Sequence, residues 1–381
     1  MPKKIGIITF VNANNFGAEL QAFASQYILN KMGYDAEIID YVFYKNKRHI
    51  KTKKSRPIFK FTIKQKIAEY LLPRIKKLKA IINKKQSNIR KSRFEAFHRI
   101  NTKFSKEYRT IDELYKNPPQ YDIFISGSDQ IWNPDIFSNI EPYFLTFAPK
   151  GAKKISYASS FGKNELSPNV ANKYSTWLKE YYAISTRENT GVKIIKDLSL
   201  NAECVLDPTL LLNMKEWQKV EIKQKNIPQN YLLIYELISS PYLNTIAKEI
   251  AKNKNLKIVR ICKDVYVEDK DKSVINIINA GPAQFVYLFS HANYIVTNSF
   301  HGTAFSINFE KDFNIVIPSG RSNSNRQRNI LNLTNLSDRL IEEGSDISNI
   351  NYSKIDYKSA TNLLNKEREK SLLFLKSNID D

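Results

Sequence analysis

The sequence predicts an α/β protein made of two doubly wound, Rossmann-like domains that face each other across a cleft. Three observations carry this expectation. The chain has 381 residues, 42% of them hydrophobic, with 21 Phe and 21 Tyr, enough for two cores and too much for one small module. Short apolar runs alternate with helical patterns, as in parallel strands joined by right-handed crossovers. A polar stretch at 215–229, containing Pro228, separates two such series. The same composition excludes a disordered chain.

The first series places strands at 5–10, 36–40, 121–126, 154–158 and 183–186, each bounded by turn residues and rich in Ile, Tyr and Phe. Residues 18–32 form a helical pattern stopped by Gly33. The second series places strands at 231–237, 257–261, 274–278, 294–298 and 314–317. Residues 357–379 are helical in pattern and are expected to pack back on the first domain. The expected domains are therefore 1–210, with an insertion at 45–106, then 211–355 and a closing helix at 356–381.

Charge is concentrated in that insertion. The net charge is +21, and residues 45–106 hold 22 Lys and Arg against two acids, Glu69 and Glu95. Ile67, Leu71, Ile75, Leu78 and Ile82 recur at helical spacing, with Lys76, Lys77, Lys79, Lys84 and Lys85 mostly off that stripe. Pro73 starts or kinks the helix. A basic amphipathic helix suits an anionic membrane surface, where each basic residue contributes about 1 kcal/mol. The alternative is a helical insertion packed on the globular body with its lysines solvated. Nucleic-acid motifs are lacking, so no nucleic acid is expected as partner.

Two cysteines, Cys204 and Cys262, exclude a disulfide framework and are expected to be reduced. No apolar run approaches the ~18 residues that cross a bilayer. The opening 1–11 reads as a strand and not a signal peptide. The expected location is cytoplasmic, at most peripheral on the inner face of the membrane.

In doubly wound sheets ligands collect at the carboxyl ends of strands. After the first strand, Asn12, Asn15 and Glu19 lie in a loop that opens a helix, whose first-turn amides can hold an anion or a sugar oxygen. Glu19 either complements the helix dipole or takes a proton from a hydroxyl. Neither G-x-G-x-x-G nor a P-loop is present, so no dinucleotide site is expected. Gly127-Ser-Asp-Gln-Ile-Trp-Asn-Pro134 crowds Asp129, Gln130 and Asn133 beside Trp132. Amides and a carboxylate beside an aromatic face suit a saccharide; the alternative is a turn in which Asp129 and Asn133 bond their own backbone. Arg187 follows the strand at 183–186, and its fork matches a carboxylate or phosphate, unless an ion pair with Glu188 or another acid occupies it.

In the second domain, Ser299-Phe-His301-Gly302 stands between a strand and a helix, with amides for a phosphate and an imidazole that exchanges protons near neutral pH. Arg321, Arg326 and Arg328 lie in a polar loop that either closes over an anion or stays solvated. His49 and His98 read as surface residues. Asp269 and Asp271 form a D-x-D within a charged run, and dispersed His and Cys give no metal-ligand spacing, so no metal and no cofactor are expected.

Taken in order, 12–21, 127–134, 156–162, Thr186-Arg-Glu188, 205–210 and 297–302 resemble the polysaccharide pyruvyl transferase family. The resemblance implies two Rossmann-like domains arranged as in B-type glycosyltransferases. It also implies transfer of the pyruvyl group of phosphoenolpyruvate to a sugar of a surface polysaccharide, such as an exopolysaccharide or capsule, or of its lipid-linked precursor. The product is a cyclic ketal and phosphate leaves. Arg187 resembles the donor-binding arginine and His301 the cleft histidine; Ser299, Gly302, Arg321 and Arg326 complete the donor site. Glu19 and Asp129 fall within matching stretches, and from their residue type one of them is expected to serve as base, with Asn12, Asn15, Gln130, Trp132 and Asn133 expected to face the acceptor. Many members carry Arg-Leu-His where this chain has Ser299-Phe-His301, and Ser299 cannot supply that charge. Either Arg321 or Arg326 replaces it, or donor use differs. The rival readings are a B-type glycosyltransferase using a nucleotide sugar and a non-catalytic module that binds membrane or polysaccharide.

Overall fold

A computed structural model describes residues 1–11, 14–42, 84–136, 140–262, 273–318 and 324–381. The first lobe is a parallel sheet of β1 (Lys4–Ile8), β2 (Asp35–Ile38), β3 (Ile123–Ser126), β4 (Lys153–Ser159), β5 (Ala183–Thr186) and β6 (Glu203–Cys204), in the order β2-β1-β3-β4-β5-β6. The second holds β7 (Tyr231–Tyr235), β8 (Lys257–Ile261), β9 (Val274–Ile277), β10 (Tyr294–Thr297), β11 (Asp312–Ile317) and β12 (Leu340–Glu342), ordered β12-β11-β10-β7-β8-β9. All neighbouring pairs are parallel. Helices cover both faces, which is why the central strands are near-continuous apolar runs. The order reverses between β1 and β3 in one sheet and between β7 and β10 in the other. These are the switch points where such sheets open a crevice.

The helices that frame this crevice or brace the lobes are α1 (Phe16–Lys31), α2 (Lys84–Asn101), α3 (Asn189–Asp197), α4 (Pro241–Asn253), α5 (Pro282–Ser290), α6 (Phe300–Asn308), α7 (Asn325–Leu333) and α8 (Tyr357–Asp380). The Asn15 side chain caps α1 by accepting from the Gly17 and Ala18 amides. Helix α1 is buried nearly all round because it lies between the lobes. Phe16 stacks on Phe285 of α5 at 4.8 Å between ring centroids, and Phe23 meets Trp217 at 5.7 Å. One apolar cluster therefore runs through both lobes. Helix α8 returns to the first lobe, where Lys3 donates to the Ile379 carbonyl (2.6 Å) and the Leu206 amide donates to Ser371 Oγ (3.0 Å).

The described part of the insertion is packed on the body. Phe94 and Phe97 of α2 are buried, Arg90 donates to the Cys262 carbonyl (2.8 Å), and Arg93 donates to the Asn279 carbonyl (2.9 Å). Helix α2 thus ties the first lobe to the ends of two strands in the second. The amphipathic stripe from Ile67 to Ile82 lies outside the described residues. His98, expected at the surface, is corrected: its side chain is only 15% exposed and bonds the Glu19 carboxylate across the α1–α2 contact. No helix among the described residues is long and apolar enough to cross a membrane.

Candidate functional site

Both switch points open into one cavity of about 170 Å³ between the lobes. Asn15, Asp129 and Gln130 reach it from the first lobe; Tyr235, Ser299, His301 and Arg326 reach it from the second. Each arrives by the same device, a strand that ends and a loop or helix that starts.

Below the cavity lies a buried charge cluster. Gly127 has φ +125, and a Cβ there would fall 2.0 Å from the Tyr157 carbonyl oxygen, so only glycine fits the turn that delivers Asp129. Arg187, its side chain 0% exposed, donates from Nη2 to Asp129 and from Nη1 to Asp207, both at 2.9 Å. Its Nε lies 3.6 Å from Glu188, which in turn accepts from Ser160 Oγ at 2.6 Å. Asp207 also accepts from Ser128 Oγ (2.9 Å) and from the amide and hydroxyl of Thr209 (3.0 and 2.8 Å). His301 Nε2 stands 4.0 Å from the same Asp207, buried and without a hydrogen-bond partner among the described residues.

Burial by itself would raise the Asp129 and Asp207 carboxyls, but Arg187 and His301 hold both below the ordinary value. Burial raises Glu188, and its cationic neighbours only partly oppose it. Burial lowers His301 below the ordinary histidine value, which favours the neutral imidazole at pH 7. Arg326 differs from Arg187 in one decisive respect. Among the described residues nothing is paired with its guanidinium, which stands 5.8 Å from the Phe300 ring centroid, where Arg187 also lies at 4.7 Å. Burial and the nearby Arg187 bring its pKa down to about 10, still cationic at neutral pH.

Two close contacts fix the second lobe's contribution. Ser299 Oγ caps α6 by accepting from the Gly302 amide at 3.2 Å. Gly17 on α1 faces His301 so closely that a Cβ there would lie 2.1 Å from Nδ1. The first turn of one lobe's helix is thus the seat of the other lobe's imidazole.

The structure brings Arg187, Asp129 and His301 to one cluster and Asn15, Gln130, Ser299 and Arg326 to the rim of the same cavity. Several expectations are corrected. Arg187 has both terminal nitrogens on the Asp129 and Asp207 carboxylates and does not turn them to the cavity. Glu19, expected at the cavity, instead bonds His98 of α2 and does not line the cavity. Trp132 is completely buried, stacked on Phe144 with Phe161 beside it, and offers no face to a sugar. Gly302 faces the sheet, where a Cβ would lie 2.3 Å from Thr297 Oγ1, and its amide is already capped. Asn133 is mostly buried and donates to Gln130 (2.9 Å), so it steadies that residue. Arg328 pairs with Glu342. Asn12, Arg321, His49, Asp269 and Asp271 lie outside the described residues.

Asp207 and Glu188 were missed as site residues. Asp207 follows β6, a strand of two residues that leaves no readable pattern, so the strand-end rule had nothing to mark it. Among the described residues no group of three or more His, Cys, Asp or Glu is arranged to hold a metal ion.

No curated protein matches the chain significantly. Among solved structures, a UDP-N-acetylglucosamine 2-epimerase is 11% identical, covering 98% of this chain and 90% of its own, with a TM-score of 0.50. The UDP-GlcNAc 2-epimerase of Methanocaldococcus jannaschii is 11% identical over 99% and 100% of the two chains, with a TM-score of 0.46. That of Neisseria meningitidis is 12% identical over 97% and 94%, also with 0.46. At such identity the likeness concerns architecture, the two-domain Rossmann-like arrangement of B-type glycosyltransferases, and not chemistry. The sequence itself is more specific: the family model for polysaccharide pyruvyl transferases matches residues 15–319, from the cap of α1 past the end of β11, and the protein belongs to that family.

Proposed function

We propose that the protein transfers the pyruvyl group of phosphoenolpyruvate to two hydroxyls of one sugar, forming a cyclic ketal and releasing phosphate. The observation that carries this reading is Arg326: a half-buried cation, unpaired among the described residues, beside a helix amino terminus and an imidazole, over a carboxylate that is ionised. A small dianionic or trianionic donor matches the first three groups, and a hydroxyl nucleophile matches the fourth.

Arg326 and the Phe300 and His301 amides at the start of α6, which have no acceptor among the described residues, hold the donor's phosphate and carboxylate. The donor's negative charge raises the His301 pKa, so the imidazole gains a proton as the donor arrives. That proton goes to the methylene carbon, which becomes the methyl group, while a sugar hydroxyl adds through oxygen to C2. Asp129 takes the hydroxyl's proton late, as the C–O bond forms, since a carboxylate is a weak base. The C2–O bond to phosphate then breaks, the second hydroxyl closes on C2 and its proton goes to the departing phosphate, and Asp129 passes the first proton back through solvent to His301. Arg187 and Asp207 hold Asp129 and His301 in register and need not touch the donor. The acceptor is a unit of a surface polysaccharide or its lipid-linked precursor, met at an anionic membrane face to which the basic residues of 45–83 are drawn.

The test is incubation with phosphoenolpyruvate and a panel of saccharides, followed by assay of inorganic phosphate and of acid-labile ketal. Release of nucleoside diphosphate from nucleotide sugars, with none of phosphate from phosphoenolpyruvate, overturns the reading in favour of a glycosyltransferase.

A further inference from the structure

Behind the Arg187–Phe300 stack, on the side away from the cleft cavity, lie two adjoining cavities of about 310 and 180 Å³. They share three amide side chains: Asn189 at the start of α3, and Asn329 and Asn332 on α7. We propose that this groove is a second saccharide site, which takes neutral sugar units next to the one being modified. The inference rests on the reading that the acceptor is a saccharide.

Four features point to that ligand class. Amides both donate and accept hydrogen bonds, as sugar hydroxyls do. Leu206, Ile330 and Phe300 line the larger cavity and offer apolar surface to sugar C–H faces. Charge is balanced along the two cavities, with Arg187, Arg328 and Lys370 set against Glu188, Asp207 and Glu367, and Arg328 is itself paired with Glu342. Finally, Glu188 lines the smaller cavity with a side chain only 3% exposed; its Oε2 faces Arg187 Nε at 3.6 Å and has no hydrogen-bond partner among the described residues, so it keeps acceptor capacity at the groove's inner wall. The cleft differs, since Arg326 there makes no direct ion pair among the described residues. Arg187, Asp207 and Phe300 form the wall beside the donor centre, so a chain of sugars in the groove lies next to the reaction without entering it.

The experiment uses the full chain without donor, screened on a printed array of neutral and anionic oligosaccharides and then titrated calorimetrically with the neutral oligosaccharide bound most tightly. Asn189 and Asn332 are both exposed, so the double variant Asn189→Ala/Asn332→Ala is compared with Asn332→Trp, which fills the groove. Thermal melting checks that each is folded. The expected result is binding by the native protein, weakened at least about tenfold in both variants, the scale of two lost neutral hydrogen bonds. No neutral oligosaccharide bound, only anionic ones bound, or equal binding by all three proteins overturns the proposal. Groove-dependent binding together with no phosphate release from phosphoenolpyruvate sinks the donor assignment and leaves the groove standing.

Discussion

The contact between Gly17 and His301 gives a sharp test of how the lobes build one centre. A Cβ at residue 17 would lie 2.1 Å from Nδ1, 2.6 Å from Cε1 and 2.7 Å from Cγ of His301, all below the 3.0 Å that real Cβ atoms respect. In Gly17→Ala the imidazole must therefore retreat by about 1 Å, a displacement that costs about 100-fold when a catalytic group is involved. The helix responds in the opposite sense. Alanine for glycine within a helix favours folding by roughly 0.5–1 kcal/mol, so Tm should change little while turnover collapses. The assay is phosphate release at saturating phosphoenolpyruvate, paired with a melting curve. Turnover within about threefold of the native value, in a variant that melts normally, would refute the view that His301 acts from this position.

The remaining predictions address the other groups. Arg326→Gln should raise the KM for phosphoenolpyruvate by at least about 30-fold, the loss of charge-assisted bonds worth about 2 kcal/mol, with Arg326→Lys intermediate; an unchanged KM returns the donor to another cation. Asp207→Asn leaves Arg187 buried with one of its counterions gone and should destabilise the fold by about 3 kcal/mol in a denaturant titration. The native protein's kcat/KM for phosphoenolpyruvate should fall as pH rises through the lowered His301 pKa, because the protonated imidazole is lost, and this limb, which lies below the ordinary histidine value, should vanish in His301→Gln along with about 100-fold of the rate. Replacing the Lys and Arg of 45–83 by Gln should abolish sedimentation with phosphatidylserine vesicles at low salt and leave phosphate release on soluble acceptors; persistence of vesicle binding would separate the charge run from the membrane.

Strand positions were the most legible part of the sequence, because parallel strands covered on both faces are apolar runs that periodicity and turn residues delimit. Runs such as Ala183–Thr186 and Lys257–Ile261 coincide with their expected limits. β6 and β12 were not legible: at two and three residues on the sheet edges they show no pattern. The strand-end rule led to Asp129, Arg187, Ser299 and His301, since it depends only on where a run stops. It said nothing of direction. Glu19 turns to α2 because His98, 79 residues on, is brought beside it by packing. Trp132 turns inward for a similar reason: Phe144 and Phe161 complete an aromatic cluster that the motif at 127–134 does not contain. Which of several arginines keeps a free fork also depends on distant partners, and Asp207 reaches Arg187 only because the ends of β5 and β6 converge.

The apolar seam of Phe16 against Phe285, braced by α2, limits how substrates arrive. Swinging the lobes widely apart would expose greasy surface to water, and an interface of that kind resists hinge motion. The two lobes then keep nearly the same separation, and a small donor would enter by side-chain shifts. A long glycan cannot be swallowed by such an opening. On the proposed function, a polymeric acceptor would present a terminal or protruding unit and be modified from outside, one exposed sugar at a time.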